Sequence, residues 1–395
     1  MAKQSPWSLP RPSPPMTRRS TNRRLPATIL AVAAAILLPL LATPAGVEAK
    51  VKFRIDGHGY GHGVGMSQWG AYGYAKRGAG YRKILGHYYS RTKLGSARAD
   101  RVSVLLSVRS NSIEFSNARK ACGRDVKPGE TYRADLGGQG RKVRLERGNG
   151  KRIASCGSKL AAKPAGNIVI DGEGAYRGRL VARAASGGLN VINRVPLEGY
   201  IRGVIPNEVP SSWPAEALRA QAVAARSYAL ATGVDGEGFQ LYDDTRSQVY
   251  GGASSEQGAT NRAAAKTAGK VVKYKGEIVP TFFSSSSGGR TENVEFGFPG
   301  GSPRPYLKSV RDPYDKASPY HSWRLTYSRS KMESMLGGLV DGKLKKIRIT
   351  KTGVSPRIVK AKVIGSGGKT TVSGDQLRAA LALRSTWAKF KLIRR

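Results

Sequence analysis

The sequence predicts an α+β protein: a mixed, β-rich fold with a central helix after the loop that carries Glu208, and a substrate cleft between lobes. Two observations predict it. Six β-patterned stretches crowd residues 100–195 ("RVSVLLSV", "SIEFS", "RKVRLER", "NIVIDG", "GRLVARA" and "LNVINRV") with only Gly/Asn turns between them. The steps between them are too short for the helical crossovers of a doubly wound sheet, while helical spacing is confined to segments before and after. At 395 residues the chain is long enough for one large domain or two ordinary ones.

In chain order, residues 1–49 read as a signal peptide. Arg18, Arg19, Arg23 and Arg24 precede the apolar "ATILAVAAAILLPLLATPAGVEA", which ends in the small-residue site Val47-Glu48-Ala49. An uncleaved membrane anchor is the other reading. The rest, 50–395, divides into a glycine-rich segment (50–95), a β-rich region (96–190) and a core with the central helix (191–395). "VKFRI" reads as a strand. Six glycines between 57 and 70 then predict a tight loop whose backbone closely approaches another segment or a ligand. Helical spacing begins at Ser67, and "YRKILGHYY" reads as a second short helix. Residues 214–232 give the clearest helix, with Pro214 suited to its first position, Glu216 complementing the dipole, and Leu218, Ala222, Ala225 and Ala229 on one narrow packing face. "GATNRAAAKTAGKVVKYKGEIV" reads as a helix and a hairpin, "TFFSSSSGGRTEN" as a strand entering a polar loop. The tail predicts strands "KIRIT" and "VKAKVIG", a capped helix and a last strand.

The formal charge is +41, and removing residues 1–49 takes six Lys/Arg and one acid, leaving +36. Such a charge asks for an anionic partner. Nucleic acid is set aside by the export signal and by the lack of any recognisable binding motif. Outside the cytoplasm the abundant polyanions are cell-wall polymers and membrane surfaces, and a dispersed solubilising charge is the plainer alternative. Cys122 and Cys156 read as a disulfide around a compact β excursion, with two unrelated buried thiols as the alternative.

One acid is oddly placed. Glu208 sits between Pro206 and Pro210, in a stiff and partly apolar loop just ahead of the 214–232 helix. Its residues alone favour a plain role, a charge that meets the helix dipole. Glu198 reads as strand-end packing, and Glu216 is explained by its helix position.

The stretches "PLEGYIRGVIPNEVPSSWPAEALRAQAVAARSYAL", "SQVYGG", "FFSSSSGGRTEN", "VSGDQLRAALALRST" and "GHGVGMSQWGAYGYAKRGAGYRKILGHYY" together resemble the stage II sporulation protein D / LytB family. The resemblance covers most of residues 50–395. It implies a secreted or wall-associated protein acting on peptidoglycan glycan strands. In the enzymatic branch it implies a lytic transglycosylase that cuts the MurNAc–GlcNAc bond with one glutamate, here Glu208. A glycosidase normally needs two carboxylates. This chemistry needs one, because the sugar's own 6-hydroxyl attacks the anomeric carbon and leaves a 1,6-anhydro end. Glu208 must then begin protonated, which calls for an apolar setting such as Val209 and Trp213 provide.

The same resemblance places Arg219, Arg226 and Gln248 near substrate, with a lysine more usual at the position of Arg219. It marks Ser285, Ser286, Ser287 and Gly288 as glycan contacts, a solvated turn being the alternative, and His62, Ser67 and Gln68 as cleft-lining. Tyr228 stacks or packs. No cofactor is implied. Zinc is not expected, since "YDDTRSQVY" has neither Cys nor His, and His58 and His62 lack the helical frame that would make their spacing a metal site. The Ser-rich loop also lacks a nucleophile elbow. In the family "GHGVGMSQ" follows the "LRAALALRST" segment, whereas here it comes first. That order suggests a circular permutation and predicts "VKFRI" beside "WAKFKLI". The LytB side of the family implies the other function, a non-catalytic wall binder that enhances an N-acetylmuramoyl-L-alanine amidase. Stripped glycan strands, anionic wall polymers and an amidase are thus the partners the resemblance implies.

Overall fold

The computed structural model describes residues 51–98, 101–137 and 140–394, so the leader read at 1–49 lies outside the described residues. The β-rich region forms most of an eleven-stranded sheet. Leu241–Tyr242 stands at one edge, followed by Arg101–Arg109, Gly188–Pro196, Arg179–Ala185, Lys159–Ile170, Ser112–Ala121, Thr131–Leu136, Val143–Arg147 and Arg152–Ser155. Leu241–Tyr242 joins it parallel, while the pairings from Arg101–Arg109 onward are antiparallel, as their short turns require. Cys122 and Cys156 are bonded, with Cα atoms 5.4 Å apart, in accord with the sequence reading.

Four helices frame the site: α1 (Gln68–Ala75), α2 (Tyr81–Tyr88), α3 (Leu197–Glu208) and α4 (Ala215–Ala231). α4 lies at the centre of the fold. Leu218, Ala222 and Ala225 pack in the core under the large sheet, while Ala220, Val223 and Ala224 pack against α1, α2 and the 271–283 segment. The single small-residue face expected from the sequence is thus two faces, and alanines on both let four elements crowd one axis. Pro214 is its N-cap, one position ahead of the first helical residue.

α3 is the main departure. The sequence reads this stretch as a strand end and a loop, yet it is a helix with Pro206 inside it. Gly199, Gly203 and Pro206 weaken its propensity. Packing overrides them: a Cβ on Gly203 would meet Tyr250 at 2.5 Å and the Gly252 carbonyl at 2.9 Å, so the glycine is there for close approach. Near the proline, Asn207 Nδ2 donates to the Gly203 carbonyl (2.7 Å) and supports the last turn.

A separate hydrophobic core serves the C-terminal lobe. Lys52–His58 runs antiparallel between Ser322–Ser328 and Ala388–Ile393, so "VKFRI" does lie beside the final strand. A second sheet of Lys346–Thr352, Ile358–Ile364 and Lys369–Ser373 completes the lobe with the helix Gly374–Ala380, whose N-terminus carries a Ser373/Gln376 capping box. The glycine-rich segment behaves as the sequence predicts. Gly59 and Gly65 take positive φ (74° and 72°), and a Cβ there would meet the Ser286 and Phe282 carbonyls at 2.7 and 2.1 Å. Met66–Ser67 then pairs in parallel with Phe283–Ser284, interleaving two distant motifs.

Candidate functional site

Glu208 is the last residue of α3, at a helix C-terminus rather than in a loop before a helix, so the sequence placement is corrected. The negative end of the α3 dipole disfavours a charge there, the reverse of the influence expected from α4. The side chain is 8 % exposed, and its Oε1 accepts a hydrogen bond from the Val249 N–H (3.0 Å). Burial pushes its pKa up to about 7, against the lowering effects of the Val249 N–H and the Gln68 side chain. The acid is therefore substantially protonated at neutral pH. Val209 and Trp213 are buried as expected, Trp213 packing on Trp69 and Tyr72 of the α1 region.

Glu208 opens onto a cleft of about 490 Å³. Tyr60, Gly61 and His62 of the glycine-rich segment, Gln68 of α1 and Tyr228 of α4 line it. Thr245–Ser247 and Val249, the Phe282–Ser285 run, Phe298 and Arg378 complete the walls. Arg378 belongs to the C-terminal lobe, so the cleft forms where that lobe meets the helical core, and Glu208 is the one carboxylate among these lining residues. His62 sits against Phe298 (4.9 Å between ring centroids), and its Nδ1 accepts from the Val64 N–H (3.0 Å). Burial, with the Arg378 and Arg357 charges, pulls its pKa down to about 3, so the ring is neutral. Tyr228 is half-buried, edge-on to Phe282. The cleft thus combines rings for sugar faces with neutral hydrogen-bonders.

Of the residues marked from sequence, Glu208, His62, Gln68, Ser285 and Tyr228 meet at this cleft, and the other candidate contacts do not. Arg226 is fully buried. Its Nε and Nη2 hold both oxygens of Glu198 (2.9 and 2.7 Å), and Nη1 donates to the Lys270 carbonyl (3.1 Å). It ties α3, α4 and the following hairpin together instead of binding a ligand. Glu198 opens α3 and also accepts from the Gly269 N–H (3.0 Å), so the strand-end reading is corrected too. Arg219 pairs with Glu216, whose other oxygen accepts from the Tyr81 N–H (2.7 Å), a bolt between α4 and α2. Gln248 lies behind the cleft wall, where its Oε1 accepts from Tyr200 Oη (3.1 Å). The "SQVYGG" motif reaches Glu208 through the backbone N–H of Val249, which no side-chain pattern announces.

Ser67, Ser286, Ser287 and Gly288 serve a buried acid pair that the sequence did not mark. Ser67 Oγ and Ser286 Oγ donate to Asp315 (both 2.8 Å), Ser287 Oγ to Asp312 (2.8 Å), and the N–H groups of Ser287 and Gly288 to Asp315 (2.9 and 3.0 Å). Tyr88 Oη donates to Asp312 (2.9 Å), and His321 Nδ1 lies 3.0 Å from Asp315. Burial first, and the Asp315 charge second, push Asp312 up to about 7. These serines are neither glycan contacts nor a solvated turn; they seat the loop on α1 and α2. Also unmarked were Tyr60, Phe282, Phe283, Phe298, Arg246 and Arg378. The Phe282-Phe283 doublet ahead of the serine run was the available signal.

Residues 185–274 match the family model described as stage II sporulation protein (SpoIID). The chain is similar to that family over this span. Its similarity to two proteins of Bacillus subtilis (strain 168) extends further. One, named Amidase enhancer, is 36% identical over 212 residues, covering 52% of this chain and 28% of the relative. The other, named Stage II sporulation protein D, is 32% identical over 217 residues, covering 51% and 62%. An uncharacterized protein of Brachyspira hyodysenteriae is 36% identical over 138 residues. The chain thus spans less than two thirds of the length of these relatives. Within the matched span lie Glu208, the Val249 N–H that contacts it, and the Arg226–Glu198 staple. The glycine-rich segment, the serine loop and Arg378 reach the cleft from outside the matched span.

Proposed function

We propose that the protein works outside the cytoplasm as a peptidoglycan lytic transglycosylase, with Glu208 as its single acid and base. One observation carries this reading: a carboxyl held near neutral pKa by burial is the sole acid among the residues lining a cleft of aromatic and neutral polar groups. The glycan strand lies in the cleft with the MurNAc–GlcNAc bond at Glu208. The protonated carboxyl gives its proton to the leaving GlcNAc oxygen as the C–O bond breaks. The carboxylate then takes the proton of the MurNAc 6-hydroxyl as that oxygen bonds to the anomeric carbon, giving a 1,6-anhydro end and restoring the acid. The export signal read from residues 1–49 and the relative named Amidase enhancer support the location. The pairing of the first described strand with the last supports a circularly permuted order of the family's segments.

A second reading rests on the relative named Amidase enhancer, which matches about half of this chain. In it the cleft binds glycan and a partner amidase does the cutting.

The experiment is mass spectrometry of products from the purified protein on peptide-free glycan strands, beside Glu208→Gln. Anhydro-MurNAc ends from the wild type alone are expected. Reducing ends would make water the nucleophile and overturn the transglycosylase. No cleavage of stripped or intact glycan would leave the enhancer.

A further inference from the structure

The outward face of the C-terminal three-stranded sheet is densely cationic. Register places three rows across it: Lys346–Ile364–Lys369, Arg348–Lys362–Thr371 and Lys351–Lys360–Ser373. Lys346, Arg348, Lys351, Lys360, Lys362 and Lys369 are all exposed, and no acidic residue occurs between Gly342 and Gly374. Arg348 stands directly opposite Lys362, and Lys351 opposite Lys360. Like charges at such positions destabilise a sheet. Among the described residues none of the six forms an ion pair. On the large sheet several cations are paired, with Arg133 on Glu114 (2.6 Å), Arg109 on Glu173 (2.8 Å) and Lys120 on Asp125 (3.4 Å).

We infer that this face is a docking surface for a linear phosphodiester polyanion of the polyol-phosphate type, which offsets the repulsion that the sheet carries when bare. Spacing argues for a regular polymer. Positions two apart on a strand lie roughly 6.6 Å from each other and neighbouring strands roughly 4.8 Å apart, a lattice that carries cations at six of its nine positions and offers closely repeated phosphates several at once. Five of the six cations are lysines, compact hydrated charges suited to single phosphates rather than to bidentate recognition. The rows hold no aromatic ring on which bases can stack, which disfavours single-stranded nucleic acid, and no helix is offered to a groove. The only large apolar side chain in the rows is Ile364, half-buried, which disfavours insertion into a membrane.

The surface also has a direction. Lys360, Thr371 and Ser373 line a hollow of about 230 Å³ together with His62, Arg378 and the acids Glu295 and Asp375, and His62 and Arg378 also line the Glu208 cleft. A polymer seated on the sheet therefore lies beside the cleft and holds the lobe against the material that carries it. The inference does not depend on what Glu208 does, because binding alone reads it.

The test measures binding of the full chain to soluble poly(glycerol phosphate) across a salt series. Duplex DNA and vesicles of roughly 3:1 phosphatidylcholine and phosphatidylglycerol serve as rival probes. The triple variant Lys346→Gln/Arg348→Gln/Lys362→Gln is expected to lose about tenfold or more in affinity at about 0.15 M salt, with the log–log salt slope smaller by about 2. A control triple on the large sheet, Arg119→Gln/Lys142→Gln/Lys159→Gln, removes as much charge and is expected to lose less than about threefold. Melting curves check that both fold, and Lys360→Gln/Lys369→Gln repeats the test from the same face should the first triple melt early. Equal losses in the two triples, or no binding of poly(glycerol phosphate), overturn the inference. So does tighter binding of DNA or vesicles that depends on the same triple, which would assign the face to that partner instead.

Discussion

Two buried carboxyls, Glu208 and Asp312, are both pushed up to about 7, and their surroundings share almost nothing. Glu208 is raised by burial alone, opposed by the Val249 N–H and Gln68, and faces an open cleft. Asp312 is raised by burial together with the charge of a neighbouring acid, and hydroxyls of Ser287 and Tyr88 enclose it. A perturbed pKa therefore marks a strained electrostatic position and says nothing by itself about chemistry. What separates the two is access: a ligand can touch one and cannot touch the other.

The sharpest way to break that comparison is a pair of isosteric changes. Under the proposed function, Glu208→Gln lowers the cleavage rate by about 10²–10⁴-fold with the fold intact. Asp312→Asn leaves the rate within a few-fold and acts on stability. A rate loss from Asp312→Asn as large as that from Glu208→Gln, in a protein that still melts cooperatively, would put the catalytic acid in the wrong place.

Next in size are the buried anchors. Asp315→Ala strands the donors of Ser67, Ser286, Ser287 and Gly288, and Arg226→Ala leaves Glu198 and the Lys270 carbonyl without their cation. Each is expected to cost about 3 kcal/mol in denaturant unfolding. Neither changes the products formed by what remains folded. An Arg226→Ala protein of undiminished stability with a raised KM would return Arg226 to the substrate site.

Linkage gives a smaller effect of definite sign. Glu208 and Asp312 have folded pKa values above their ordinary ones of 4.5 and 3.8, so between about pH 4 and 7 the folded chain binds more protons than the unfolded one. Their contribution to stability therefore falls as pH rises through that window, and it is neutral below it, where both states are protonated. Glu208→Gln removes one such group. It is expected to stabilise the protein by about 3 kcal/mol at pH 8 and by nothing at pH 4, measured by denaturant midpoints at both pH values. A gain that is equal at both would mean that Glu208 is not held protonated.

The smallest effect tests the neighbour. Gln68 lowers the pKa of Glu208, so Gln68→Ala is expected to move the alkaline limb of the rate profile upward by less than about one pH unit. A downward move would reverse the role given to Gln68.

Particular elements show how far the sequence reached. α4, the 270–278 hairpin, the capped helix at 374–380 and the Cys122–Cys156 bond were legible because local propensity, capping and turn chemistry agree with the final fold. The neighbourhood of the first and last strands was legible from the order of the motifs. α3 was not, since Gly199, Gly203 and Pro206 argue against a helix and only the approach of Tyr250 and Gly252 explains them.

By itself, then, the sequence determined the β-rich α+β class, the resemblance to the stage II sporulation protein D family and the acid on which the proposed function rests, because these reside in patterning and in long motifs that local chemistry keeps together. Only the tertiary structure decided which motif residues face the cleft. Arg226, Gln248 and Ser287 point into the protein and Arg378 arrives from another lobe, and side-chain direction is set by packing between segments that are distant in the chain. The protonation of Glu208 was decided there too: desolvation depends on what surrounds a carboxyl in space, and its neighbours in sequence supply only part of that wall.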